Sequence, residues 1–284
     1  MTSIRLVLNA DDLGLTAPLS RAVVTLLKAG HLTDTSLLAC GEAFDDAAGA
    51  LREAGIGSAG VHLCLVGGDR PVSEASEVPS LVVRGRFRES WPVVAGAVAA
   101  GRIRVRDVER EWEAQICRVT NRGLRVTHLD SHQHLHLLPT LLPVALRLAR
   151  RHDVAFVRAP RSAAASGTAL PMGARGKGRL LSLFGERARR MIRTVGLPDP
   201  PGVIGLAEAG RMTLEQWRSI VSGLGPGDYE AVLHPGDDDE ETPARYRWGY
   251  RWAEEAEVLR SRDLSALFSE TGVQAISFRD LSPD

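Results

Sequence analysis

The sequence predicts an α/β fold, a (β/α) barrel of about seven strands. Three observations carry that expectation. Short runs rich in leucine and β-branched residues alternate with helical stretches at short spacing, which is the pattern of βα units in a parallel sheet. A helical stretch such as "PLSRAVVTLLKAG" (18–30) closes on a glycine, a normal helix stop. Acids and histidines recur where the strands end, and sites lie at strand carboxyl ends both in closed barrels and in open doubly wound sheets. The doubly wound open sheet is therefore the alternative architecture.

In chain order, "IRLVLNA" (4–10) is the first strand and runs into the polar corner Asn-Ala-Asp-Asp-Leu-Gly. The first helix (18–30) leads to the strand "DTSLLAC" (34–40), the helix "EAFDDAAGALREAG" (42–55) and the strand "SAGVHLCLV" (58–66), which contains His62. Residues 67–105, broken by prolines and glycines, are expected to be irregular and to cover one end of the sheet. A long amphipathic helix (105–123) precedes the strand "RVTHLDSH", the helix "PTLLPVALRLARRH" (139–152) and the strand "VAFVRAP" (154–160). Residues 161–203 interrupt the rhythm and read as an insertion. It resumes with the helix "TLEQWRSIVSGLG", the strand "YEAVLHPG" (229–236), a helix around 246–272 and the last strand, "VQAISF" (273–278). Residues 1–284 are thus expected to form one barrel domain with two irregular insertions.

Composition removes several function classes. With 35 basic and 35 acidic residues and 5% aromatics, no global field or stacking surface recruits nucleic acid. Three widely spaced cysteines, Cys40, Cys64 and Cys117, make neither a disulfide framework nor a zinc ribbon, which fits the cytoplasm. The start of the chain is too short and polar for a signal peptide, and no apolar run is long enough to span a bilayer. One stretch, 173–197, carries seven Arg/Lys against a single Glu, interleaved with leucines, Phe184, Met191 and Ile192. It reads as a lid or oligomer contact, with peripheral membrane contact as the second reading.

"VTHLDSHQHLHLLP" (126–139) holds four of the eight histidines. His128, Asp130, His132, His134 and His136 share one parity, so they face one way for as long as the backbone stays extended. Asp11 and Asp12, being adjacent, must diverge, which lets one bind a metal while the other faces a substrate. Taken singly, each has a plain structural reading: aspartates as turn or cap residues, His62 as a core histidine, His234 as a turn cap. The acidic run "GDDDEE" (236–241) reads as a solvated loop. Together, however, four strand ends deliver acid or imidazole to one face, and a carboxylate with imidazoles suits a divalent ion with an open position.

The motifs "NADDLG", "GVHLCL", "THLDSHQHLH" and "VLHPG", in this order and spacing, resemble those of the YdjC-like carbohydrate deacetylases. That family includes chitooligosaccharide and hopanoid-associated deacetylases. The resemblance extends from Arg5 to about Asp280 and thins in 67–105 and 161–203. It implies a TIM-like, partly irregular barrel and a metal-dependent hydrolase that removes the N-acetyl group from an amino sugar. It further implies Asp12, His62 and His132 as ligands of one divalent ion (zinc or magnesium, with manganese or cobalt as further candidates). Asp11 takes the place of the general base that activates water, and His234 that of the general acid. Asp130, His134, His136 and Arg158 are expected around these as supporting or substrate-binding residues, with the role of His128 open. The resemblance also implies a homodimer and, if 173–197 meets a membrane, a lipid-linked sugar. Another metal-dependent amidohydrolase, or a silent sugar- or metal-binding protein, are the alternatives.

Overall fold

The strand β1 (Ile4–Leu13) is buried on both faces over its last eight residues, as befits a central strand of a parallel sheet. The computed structural model describes residues 3–160 and 172–281, with 172–182 described by backbone alone. Helix α1 (Ala17–Lys28) starts at Thr16, whose hydroxyl accepts from the Leu19 N–H, with a proline in the first turn. Then come β2 (Asp34–Leu37), α2 (Phe44–Glu53) and β3 (Ser58–Leu63). The stretch 67–105 is less irregular than expected. It holds an antiparallel hairpin, β4 (Val82–Val83) with β5 (Arg86–Phe87), and the helix α3 (Trp91–Ala99).

The regular alternation continues with α4 (Val105–Thr120), β6 (Arg125–Ser131), α5 (Leu142–Arg151) and β7 (Phe156–Val157). Of the stretch 161–203, residues 161–171 lie outside the described residues, and α6 (Met172–Thr194) fills most of the rest. The side chains of the first half of the basic stretch therefore lie outside the description too. A three-residue strand, β8 (Gly202–Ile204), was not legible beforehand. Helix α7 (Leu214–Ser222) opens with a Thr213–Gln216 capping box, and β9 (Gly227–Leu233) and α8 (Glu241–Arg245) follow. The expected helix around 246–272 is instead a non-helical segment, 246–251, followed by two helices, α9 (Trp252–Arg260) and α10 (Arg262–Thr271). Ser261 separates the two by capping α10 through the Leu264 N–H. The last strand is β10 (Val273–Ile276). Among the described residues no helix is long and apolar enough to cross a membrane.

The strands pair in the order β7-β6-β3-β2-β1-β9-β8, all parallel, and β10 lies beside the first half of β1. The sheet curls into a half-barrel with β7 and β8 as its ends, the partly irregular form of the expected barrel. Strand alternation then sorts the side chains. Leu6, Leu8 and Ala10 of β1, with Ala231 and Leu233 of β9, join the main apolar core. Val7, Phe156, Ile276 and Phe278 form a small separate apolar cluster on the opposite side. On the same side of β1 as Val7 come Asn9 and Asp11, and Ser36, His62, Asp130, Arg158 and Glu230 join them, all buried. Barrel interiors are ordinarily filled by apolar layers, so a buried polar layer here needs partners to offset its desolvation.

Candidate metal centre

Asp12 sits at φ 63°, and the β1–β2 register shifts between Ala10 and Leu13 around it. That left-handed backbone is uncommon outside glycine, though aspartate tolerates it better than most, and such strain tends to be kept at functional sites. The bulge interrupts the ladder just before the end of β1, and the two aspartates meet different partners. Asp12 Oδ1 lies 2.9 Å from His132 Nδ1 and 3.2 Å from His62 Nε2, while its Oδ2 is 3.9 Å from His234 Nε2. Asp12, His62 and His132 are buried and offer donor atoms within 4.8 Å of one another.

His62 is held from behind. His62 Nδ1 is 2.8 Å from Asp130 Oδ1, so its Nε2 is the nitrogen turned to Asp12. The chain just after His62 is braced by Gln115, whose side chain bonds both the N–H and the carbonyl of Cys64 at 2.8 Å. His132 follows the last residue of β6, and Gln133 and His134 then turn left-handed at φ 58° and 56°. The shared parity of the five residues therefore holds only as far as the strand does. His128 and Asp130 obey it, His132 is placed by the turn, and His134 is left half-buried.

His136 folds back beneath the turn: its Nε2–H donates to the Arg158 carbonyl at 2.8 Å, and its Nδ1 accepts from the Ser131 hydroxyl at 2.5 Å. Burial pushes its pKa down to about 4, so the ring is neutral and structural. His128 is likewise pushed to about 4 by burial and stacks on Phe278 at 4.0 Å, and its donor nitrogen groups with Asp130 and Glu230 and not with Asp12.

Among the described residues Arg158 is the guanidinium that sits in a nest of acids. It grips Asp11 with two 2.7 Å bonds, meets Asp130 Oδ2 at 2.7 Å and donates to Glu230 Oε1 through Nε at 2.9 Å. Asp11 Oδ1 also accepts from Asn9 at 2.9 Å and Ser36 at 3.2 Å, whereas among the described residues Oδ2 has the Arg158 bond alone. Burial pushes Glu230 up to about 7. Burial would also raise Asp130 and Asp12, but Arg158 with His62 in the first case, and His132 with His62 in the second, hold them well below the carboxylate range. The reverse happens to His62, where the surrounding acids, Asp130 foremost, overcome burial and raise it well above its usual value. The interior thus gathers several carboxylates around one guanidinium, and the acids favour the positive form of His62. A divalent cation is favoured by the same acids, and one carboxylate with two imidazoles is a donor set such ions accept.

His234 follows the last residue of β9 beside this cluster. Its backbone N–H donates to Glu255 Oε1 at 2.6 Å, its ring meets Tyr250 edge-on at 4.9 Å, and its Nδ1 has no hydrogen-bond partner among the described residues. Burial lowers its pKa. Several residues here were not foreseen: Ser36, Gln115, Glu230, Glu255, Trp248 and Tyr250. For Glu230 the signal was available, since it is an acid inside the otherwise apolar run of "YEAVL".

The buried acid–imidazole cluster lies at the carboxyl ends of a curled parallel sheet, where sites of such folds are built, and its side chains could hold a divalent ion. The YdjC-like protein family model matches residues 5–270, and the chain belongs to that family. A carbohydrate deacetylase of Brevibacillus brevis is 28% identical over 281 residues, covering 98% of this chain and 99% of the relative. A carbohydrate deacetylase of Geobacillus stearothermophilus is 28% identical over 277 residues, 96% of each chain. A solved structure from Enterococcus faecalis, assigned to cellobiose-phosphate cleavage, shares the fold with a TM-score of 0.78 at 23% identity, covering 99% of this chain and 100% of that one.

Proposed function

We propose that the protein is a divalent-metal hydrolase that removes the acetyl group from an N-acetylated amino sugar, whether an oligosaccharide or a glycoconjugate. The observation that carries this reading is the buried set Asp12, His62 and His132, with donors within 4.8 Å of one another. Family membership, and relatives named as carbohydrate deacetylases, support an acylated sugar as substrate. The same reading takes the protein as a cytoplasmic homodimer, from its widely spaced cysteines and the family resemblance.

Bound by Asp12, His62 and His132, a zinc, magnesium, manganese or cobalt ion would polarise the amide carbonyl and acidify a water. Asp11 receives the proton that the attacking water loses. Its Oδ1 is saturated by three donors, so Oδ2 is the accepting atom, and the Arg158 fork fixes where that atom points. His234 supplies the proton that lets the amine leave. Burial lowers the imidazole pKa, which makes the imidazolium a stronger acid toward a more basic amine while reducing how much of it is present at neutral pH. Acid–base assistance of this kind contributes about 10²–10⁴-fold.

The test is acetate release from N-acetylglucosamine oligomers by metal-stripped protein, with each ion added back in turn. The reading expects equimolar acetate and free amine with at least one ion. Stoichiometric metal uptake without acetate from any N-acetyl sugar would contradict it and leave a sugar- or metal-binding protein.

A further inference from the structure

From the end of α8 to the first residue of α9 the chain carries an aromatic residue at every second position: Tyr246, Trp248, Tyr250 and Trp252. The rings form a continuous row, with centroids 4.9 Å apart for Tyr246–Trp248, 5.5 Å for Trp248–Tyr250 and 5.6 Å for Tyr250–Trp252. The outer pair, Tyr246 and Trp252, is 6% exposed at each position. Trp248 and Tyr250, between them, are only half-buried. These two border the candidate centre, with Trp248 5.1 Å from the His132 ring and Tyr250 4.9 Å from the His234 ring.

The segment is clamped. The Arg251 N–H donates to the Gly210 carbonyl at 2.6 Å, the Gly236 N–H to the Trp252 carbonyl at 3.0 Å, and Arg211 Nε to the Gly249 carbonyl at 3.2 Å. A Cβ at Gly210 would fall 2.1 Å from the Tyr250 ring, so only glycine lets that ring lie against the loop after β8. Here the two ends are anchors, and the middle pair keeps aromatic surface open beside buried acids and imidazoles. Rings with a fixed position and few rotatable bonds give apolar contact at little entropic cost, which suits a ligand with one apolar face and a polar rim. A pyranose has that shape, with axial C–H groups on its face and hydroxyls around its edge.

We propose that Trp248 and Tyr250 are the sugar-binding wall of this site: the ring bearing the N-acetyl group stacks on Trp248, and Tyr250 borders it beside His234. The proposal rests on the reading of the site as an N-acetyl sugar hydrolase and names how the sugar is recognised.

The test compares the whole metal-loaded protein with Trp248→Ala and Trp248→Phe. The probe is di-N-acetylchitobiose, and binding is followed by tryptophan fluorescence and saturation-transfer NMR. KM and kcat for chitobiose are measured in parallel, with N-acetylethanolamine as an acyclic amide and metal content and melting temperature as controls. Trp248→Ala is expected to weaken binding and raise KM by about tenfold or more. Its metal content and melting temperature should be close to those of the wild type, its loss should be larger for chitobiose than for the acyclic amide, and Trp248→Phe should keep most of the affinity. Chitobiose bound equally well by Trp248→Ala and by the wild type would overturn the wall. Acetate release with an unchanged KM in Trp248→Ala overturns the wall and leaves the proposed reaction standing. Chitobiose bound through Trp248 but never deacetylated supports the wall and removes the reaction. A wild type that binds no chitobiose at all overturns the wall.

Discussion

His62 and Asp130 are joined by a 2.8 Å contact through Nδ1, and this bond decides that Nε2 faces Asp12. An outer carboxylate of this kind orients a metal-binding imidazole and raises its basicity. Asp130→Asn keeps an acceptor but loses the charge, and it also weakens the ion pair to Arg158. Its metal affinity is expected to fall about 10–100-fold, less than for His62→Ala, when measured by competition with a chelator. An unchanged affinity would mean that the bond only fills space.

Gly60 is where the sheet makes room for His128. A Cβ there would lie 2.3 Å from the imidazole, whose other face is stacked on Phe278. Gly60→Ala is therefore expected to cost about 1–3 kcal/mol by overpacking, read as a lower melting temperature. In a His128→Ala background the same change should cost much less. Equal costs in both backgrounds would place the strain elsewhere.

The pH dependence of stability follows partly from Asp34, which accepts the Phe278 N–H at 2.9 Å. Burial raises its carboxyl from an ordinary 3.8 to about 7. Between those values the folded chain holds a proton that the unfolded chain has released, so this group makes stability fall as pH rises through the window and level off above it. Asp34→Asn preserves an acceptor without a charge to desolvate. Thermal melts should show the variant less sensitive to pH in that window and more stable than the wild type above it. A variant whose pH profile is parallel to that of the wild type would refute the assignment.

The strand–helix rhythm was readable from the sequence because β1, β3, β6 and β9 are buried, β-branched or leucine-rich runs of six or more residues. Their alternation also foretold that His128 and Asp130 face the same way. It failed from His132 onward, because the left-handed Gln133 and His134 end the extended backbone and no residue there is a glycine to announce the turn. The three-residue β8 lies behind consecutive prolines and is too short to show a period. Arg158 was noticed as a single basic residue at a strand end. Its triple acid contact depends on Glu230, which comes from a strand 72 residues further on. The aromatic row was merged into the following helix, although its two-residue spacing is that of an extended chain and not a helical one.

The central claim assigns different tasks to two neighbouring aspartates, and Asp11→Asn beside Asp12→Asn tests it most directly. Metal stoichiometry and acetate release from an N-acetylglucosamine oligomer would be measured on the same preparations. The account predicts that Asp12→Asn loses metal and turnover together, whereas Asp11→Asn retains near-stoichiometric metal and loses turnover by at least about 10²-fold. An Asp11→Asn protein that still releases acetate at the wild-type rate would contradict the account.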